Sequence, residues 1–155
     1  MSPALLIATW FGSGLLKPAP GTWGSLAAIP FAWAIVHFGE SWFLLPAAVI
    51  LFPIGVWAAN EYDKVKGSHD ASEIVVDEVV AVWITLAFVP FTWQHVLAGF
   101  LLFRFFDILK PWPISWADRQ VSGGFGVMID DVIASLYAVA CLIALGFLIT
   151  WIDTL

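Results

Sequence analysis

Five carboxylates and two cations fall in three short stretches of this chain: Asp77 and Glu78 in IVVDEVV, Arg104, Asp107 and Lys110 in FRFFDILKP, and Asp130 and Asp131 in MIDDVIAS. Residues three apart on a helix are surface neighbours, so Arg104, Asp107 and Lys110 share one face over an arc of about 120°. Fully ionised, five acids against two bases leave a net charge of −3. Crowding like charges at a low-dielectric edge is costly unless a cation joins them. A donor set made only of oxygens, with no histidine pair at ligand spacing, suits one or two hard ions such as Mg²⁺. Acids for a metal, with an arginine and a lysine for an anion, equip a site for phosphoryl chemistry.

A second element points the same way. In PAPGTWGSL, residues 18 to 26, Pro20-Gly21 breaks the chain, Thr22 is the expected N-cap and Ser25 falls in the first helical turn. Free backbone N–H groups and two hydroxyls at a helix start make an anion site, although on their own the two hydroxyls read as simple caps. The GGFG of residues 123 to 126 precedes Asp130 and is expected to give a pliant approach of backbone to ligand or metal. Simpler readings exist for each acid: Arg104 with Asp107 as a structural ion pair, and each acid pair as first-turn residues favoured by the helix dipole. Both pairs together with Asp107 at one membrane face are harder to explain in that way. His69 reads as a solvated loop residue, with proton transfer by His69 or Asp70 at the mouth of the site as the lesser alternative.

The elements that must position these groups are helices in a membrane. The chain has 155 residues, 61% hydrophobic and 12% charged, where a soluble domain shows roughly 45–50% and about 25%. The expected fold is an all-α integral membrane protein: one transmembrane catalytic domain over residues 1–155, a compact bundle of about five spans plus an N-terminal interfacial or re-entrant helix. Apolar runs cover residues 22–38, 42–60, 74–91, 94–109 and 130–152, each measured against the roughly 20 residues of a span. Short connections at 38–41 and 91–94 make tight hairpins, and the longer connections at 61–73 and 110–129 lie on the opposite side.

Lys17, Lys64, Lys66, Lys110 and Arg119 all fall on the long-loop side, with Arg104 near that end of its span, and the short-loop side has neither Lys nor Arg. The positive-inside rule puts the long loops, and with them the acids, at the cytoplasmic face. Below the acids, Glu78, Ala81 and Thr85 form one stripe and Asp131, Ala134, Ser135 and Ala138 another, and small residues of this kind permit close helix packing in lipid. Trp42, Trp93 and Trp151 on one side, and Trp10, Trp23, Trp112 and Trp116 on the other, read as interfacial belts. The first sixteen residues lack the basic region and cleavage site of a signal peptide and are expected to stay in the mature protein. The lone Cys141 excludes an intrachain disulfide and a thiol metal site. A net charge of −6 offers no basic face to nucleic acid.

Together, GSGLLKPAPGTWGSLAAIP, SEIVVDEVVAVWITL, FRFFDILKPWPISWADR and GGFGVMIDDVIAS resemble the phosphatidylglycerophosphatase A family of bacterial inner-membrane lipid phosphatases. The likeness runs in order from about residue 5 to about residue 140, and FRxxDxxKPxPI followed by GGxGxMxDD is its most specific part. The resemblance implies Mg²⁺-dependent removal of the terminal phosphate of phosphatidylglycerophosphate to give phosphatidylglycerol. It also implies a multi-pass protein of the bacterial cytoplasmic membrane among membrane lipids, with no nucleic acid and no obligate protein partner. Carried over by position, the motif residues are Thr22, Ser25, Asp77, Glu78, Arg104, Asp107, Lys110, Asp130 and Asp131. The five acids would supply metal ligands, one of them left free as a base, while Arg104, Lys110, Thr22 and Ser25 would hold the phosphate. Ala81 and Ser135 stand where the family usually has glycine, both small replacements. A metal-activated water and an aspartyl-phosphate intermediate both stay open as routes. So do two other classes: a cation- or proton-coupled transporter, which usually places its acids near the midplane and in related halves, and a metal-dependent lipid phosphotransferase, whose D-G-x-x-A-R run is absent from the sequence.

Overall fold

Prolines and glycines divide the chain into helices whose lengths differ more than the apolar runs suggest. The computed structural model describes residues 2–67 and 71–153, and among these it contains seven α-helices and no strand. They are α1 (Pro3–Ala8), α2 (Pro20–His37), α3 (Leu44–Lys66), α4 (Val76–Ala87), α5 (Trp93–Leu109), α6 (Ile114–Gln120) and α7 (Gly123–Asp153).

Helix α1 starts where Ser2 caps it, the hydroxyl accepting from the Leu5 N–H at 3.4 Å, with Pro3 in the first turn. Its six residues reach only about 9 Å. The chain then turns through Trp10, Phe11 and Gly12, all with positive φ, so the first sixteen residues build no crossing helix.

Among the described residues, two helical segments are long and apolar enough to cross a membrane: Ser41–Lys66 and Gly123–Ile152. The expected run at 74–91 is met by α4, whose 12 residues span about 18 Å against a hydrocarbon core of about 30 Å. The reason is local. The Val75 N–H donates to the Ala8 carbonyl at 2.8 Å, tying the start of the apolar run to the end of α1 in a non-helical conformation. At the other end the helix stops at Ala87, so Phe88–Pro90 also lie outside it.

Short as it is, α4 is the centre of the molecule. It packs against α2, α3, α5 and α7, and eleven of its twelve residues are buried. The stripes Glu78-Ala81-Thr85 and Asp131-Ala134-Ser135-Ala138 are all buried, as their small residues lead one to expect. The two hydroxyls bond inside their own helices, Thr85 to the Ala81 carbonyl at 2.9 Å and Ser135 to the Val132 carbonyl at 2.7 Å.

Three expectations need correction. Residues 110–129 are not an open connection: α6 forms at 114–120, and α7 begins at Gly123, seven residues before Asp130. The GGFG segment is therefore the first turn of α7, and its glycines serve packing. A Cβ on Gly124 would lie 2.2 Å from the Val56 carbonyl of α3, and the Gly124 N–H donates to the Asn60 side chain at 2.7 Å. Finally, Trp10 belongs to no interfacial belt. It is buried edge-on against Phe31 and Trp83, with its indole N–H directed to the Ala27 carbonyl.

Candidate active site

Three helices bring the charged residues to one place. The first turn of α4 presents Asp77 and Glu78, α5 presents Arg104 and Asp107 near its end, α7 presents Asp130 and Asp131, and Lys110 caps α5. All seven line one cavity of about 290 Å³. Asp77, Glu78, Asp130 and Asp131 are buried, at 9%, 8%, 5% and 4% exposure. Within each acidic pair the geometry repeats: the first aspartate accepts the backbone N–H of the second acid at 3.0 Å. That bond fixes one oxygen of Asp77 and one of Asp130 and orients the remaining oxygens.

The cations are held by the acids. Arg104 lies 2.5 Å from Asp107, one turn along α5, and 3.5 Å from Glu78 on α4. Lys110 lies 2.6 Å from Asp130 and 2.5 Å from Asp118 of α6. Burial pulls the Lys110 ammonium down, but its bonds to Asp118 and Asp130 outweigh that and hold it above the ordinary lysine value. Lys110 (φ 44) and Ala19 (φ 59) are both left-handed non-glycine residues on the cavity wall. Such a conformation costs about 1–2 kcal/mol per residue, so packing around the cavity imposes it.

One carboxylate oxygen from each of Asp77, Glu78 and Asp131 comes within 4.8 Å of the other two. Glu78 Oε2 and Asp131 Oδ2 are buried with no hydrogen-bond partner, as is Arg104 Nε. A buried polar atom without a partner is costly. Two unpartnered anionic oxygens beside a third carboxylate fit a hard divalent cation, and the unpartnered guanidinium N–H fits an anion next to it.

Thr22 and Ser25 do not line this cavity. The expected N-cap at Thr22 is replaced by Ala19, with Pro20 opening α2 in the manner proline favours. Ser25 is buried and donates to the Gly21 carbonyl at 2.8 Å, so its hydroxyl is spent inside the helix. The start of α2 meets the site through backbone instead. A Cβ on Gly21 would sit 2.1 Å from Glu78 Oε1 and 3.0 Å from Arg104 Nη1, so glycine is needed there for close approach. Gly21 was legible only as a chain breaker. No local pattern marks Asp118, which is eight residues beyond Lys110, across two prolines. His69 and Asp70 lie outside the described residues.

Residues 6–146 match the family model for Phosphatidylglycerophosphatase A. The chain belongs to this family. Within the phosphatidylglycerophosphatase A family, the Haemophilus influenzae protein is 46% identical over 149 residues, covering 95% of this chain and 91% of the relative. The Escherichia coli protein is 47% identical over 147 residues, covering 94% and 84%. A relative in Bacteroides thetaiotaomicron, provisionally named a phosphatidylinositol-3-phosphatase, is 43% identical over 147 residues, covering 86% and 87%. No solved structure matches the chain. Phosphatidylglycerophosphatase A proteins are phosphoric monoester hydrolases, and this chain is an enzyme of that class.

Proposed function

We propose that this chain hydrolyses the terminal phosphomonoester of phosphatidylglycerophosphate, releasing phosphatidylglycerol and inorganic phosphate. The observation that carries the reading is the single cavity in which five carboxylates face Arg104 and Lys110, with Glu78 Oε2 and Asp131 Oδ2 unpartnered. Family membership and the names of the Haemophilus and Escherichia relatives support the substrate. The Bacteroides relative makes the headgroup the point to test.

Asp77, Glu78 and Asp131, assisted by Asp107 and Asp130, would hold Mg²⁺. When bound, the ion neutralises phosphoryl oxygens and makes water more acidic. The protein's own groups do the rest. Arg104, ringed by Glu78 and Asp107, turns its free N–H edge to the phosphate, and Lys110 takes a second phosphate oxygen. The backbone at Gly21 closes the near wall, with the Ser25 hydroxyl bonded to the Gly21 carbonyl and neither Thr22 nor Ser25 on the cavity wall. A carboxylate not engaged by the cation accepts a proton from water as the water oxygen bonds to phosphorus. The bond from phosphorus to the glycerol oxygen breaks in line, and the departing oxygen takes up a proton.

Five of the helices form the membrane unit in this reading. Helices α3 and α7 cross it alone, α2 and α5 cross beside them, and short α4 lies enclosed among the others, where protein satisfies what lipid cannot. The site end faces the cytoplasm, because Lys17, Lys64, Lys66, Lys110 and Arg119 gather there. Acyl chains stay in the bilayer while the headgroup reaches the cavity.

The test is phosphate release by purified protein from phosphatidylglycerophosphate, phosphatidic acid and phosphatidylinositol-3-phosphate, with and without Mg²⁺. Release is expected to be greatest from phosphatidylglycerophosphate and to require the ion. Asp131→Asn is expected to lower it about 10³-fold while the protein stays folded in the membrane. No release from phosphatidylglycerophosphate with any divalent ion would overturn the reading, and full activity in Asp131→Asn would overturn the cation assignment.

A further inference from the structure

Seven charged residues line the cavity, and an eighth reaches one of them from outside. Asp118 is absent from the cavity wall, yet its Oδ1 lies 2.5 Å from Lys110 Nζ, which is also 2.6 Å from Asp130 Oδ2. The Lys110 and Asp118 side chains are about a third exposed, at 30% and 32%, against 8% for Asp130. The ammonium therefore sits at the border between cavity and water, shared by an inner and an outer carboxylate.

The outer carboxylate stands on a braced element. In α6, Ile114 and Ala117 are buried, Arg119 donates to the Ser115 carbonyl at 2.9 Å, and the helix packs on α7. Tyr137 of α7 donates to the Trp112 carbonyl at 3.0 Å, pinning the turn that leads into α6. Lysine has a flexible four-carbon stem and a point charge with no preferred fork of its own. With Asp130 as its sole partner, the ammonium would be drawn inward onto a carboxylate needed for the cation. Asp118, the more exposed of the two carboxylates, draws it toward water.

We propose that Asp118 is a positioning residue, which shares the Lys110 ammonium with Asp130 and so holds it at the cavity rim, where an entering phosphate oxygen meets it. This rests on the phosphatase reading of the cavity. Asp118 itself touches neither substrate nor cation.

The experiment measures kcat and KM of the full-length protein on phosphatidylglycerophosphate in mixed micelles, and the affinity for inorganic phosphate by calorimetry in the presence of Mg²⁺. Asp118→Asn is expected to raise both KM and the phosphate dissociation constant about tenfold, the effect of losing one charged hydrogen bond. Its kcat should stay within about twofold of the original. Asp118→Glu should restore most of the affinity, and Asp118→Asn added to Lys110→Met should cost nothing beyond Lys110→Met alone. An unchanged KM and phosphate affinity in Asp118→Asn would overturn the inference. So would a loss confined to kcat that adds fully to that of Lys110→Met, which is the behaviour of a simple brace for α6. If the unaltered protein fails to hydrolyse the lipid, the phosphatase reading falls on its own, and phosphate affinity in the two proteins still decides the role of Asp118.

Discussion

The two halves of α7 use the same helix and much the same apolar vocabulary in opposite surroundings. From Val127 to Leu142 the helix turns Met128, Asp130, Asp131, Ala134, Ser135 and Ala138 inward against its neighbours, α4 among them. From Ile143 to Ile152 the large side chains Phe147, Leu148, Ile149, Trp151 and Ile152 point outward. Lipid accepts bulky apolar groups without complementary packing, whereas close approach of helices demands small ones. Charges can stay only in the half that other helices enclose. Helix α4 extends the first case: too short to span, it survives because protein covers nearly all of it.

The sharpest way to break this comparison is to enlarge a residue in the enclosed half. Ala134→Leu, at a position with no exposure, is expected to destabilise the protein by about 1–3 kcal/mol through overpacking. By displacing Asp131 it should also lower phosphate release about 100-fold. Phe147→Ala in the outer half should leave release unchanged. Comparable losses in both, measured by lipid hydrolysis and thermal unfolding in detergent, would erase the distinction.

The same substitution made at the packed start of α7 and in its outer half should change sign. Gly124→Ala places a methyl 2.2 Å from the immovable Val56 carbonyl and should cost about 1–3 kcal/mol. Gly146→Ala meets nothing within 4 Å and should gain about 0.5–1 kcal/mol, the ordinary helix preference for alanine over glycine. Two shifts of thermal midpoint in one direction would show that enclosure does not govern α7.

A charge outside both regions should matter least. Glu73 pairs with Lys66 at the surface, and the bond from Lys66 holds its carboxyl below the ordinary value of 4.5. A lowered carboxyl contributes stability above its ordinary value and loses that contribution as pH falls through the folded value. Glu73→Gln should therefore produce only a slight fall in thermal midpoint at pH 7, vanishing in acid, with phosphate release intact. A loss of activity would tie this surface pair to the cavity.

Much of the site was legible because it depends on residue type and helical period. Asp77, Glu78, Arg104, Asp107, Lys110, Asp130 and Asp131 declare themselves as charges in an apolar chain, and each is within about two turns of the end of an apolar run. What escaped depends on where the backbone leaves the helix. Thr22 has the side chain of an N-cap, but the helix starts three residues earlier, at Pro20, and Ala19 takes the cap. The run at 74–91 is apolar throughout, but the bond from Val75 to Ala8 takes its start out of the helix. Asp118 and Gly21 matter through partners 8 and 57 or more residues away, and no local pattern shows such pairs.

The sequence by itself determined an all-helical, strongly apolar chain with five carboxylates and two cations set near the ends of three apolar runs, because composition and the 3.6-residue period express those directly. Only the tertiary structure decided which of those charges share a cavity and which oxygens remain unpartnered. It also decided that a 12-residue helix, rather than a long one, carries two of the acids. Those outcomes follow from contacts between distant segments, such as the Gly124 backbone on α3 and Arg104 between Glu78 and Asp107, whose energies exist only once the helices have packed.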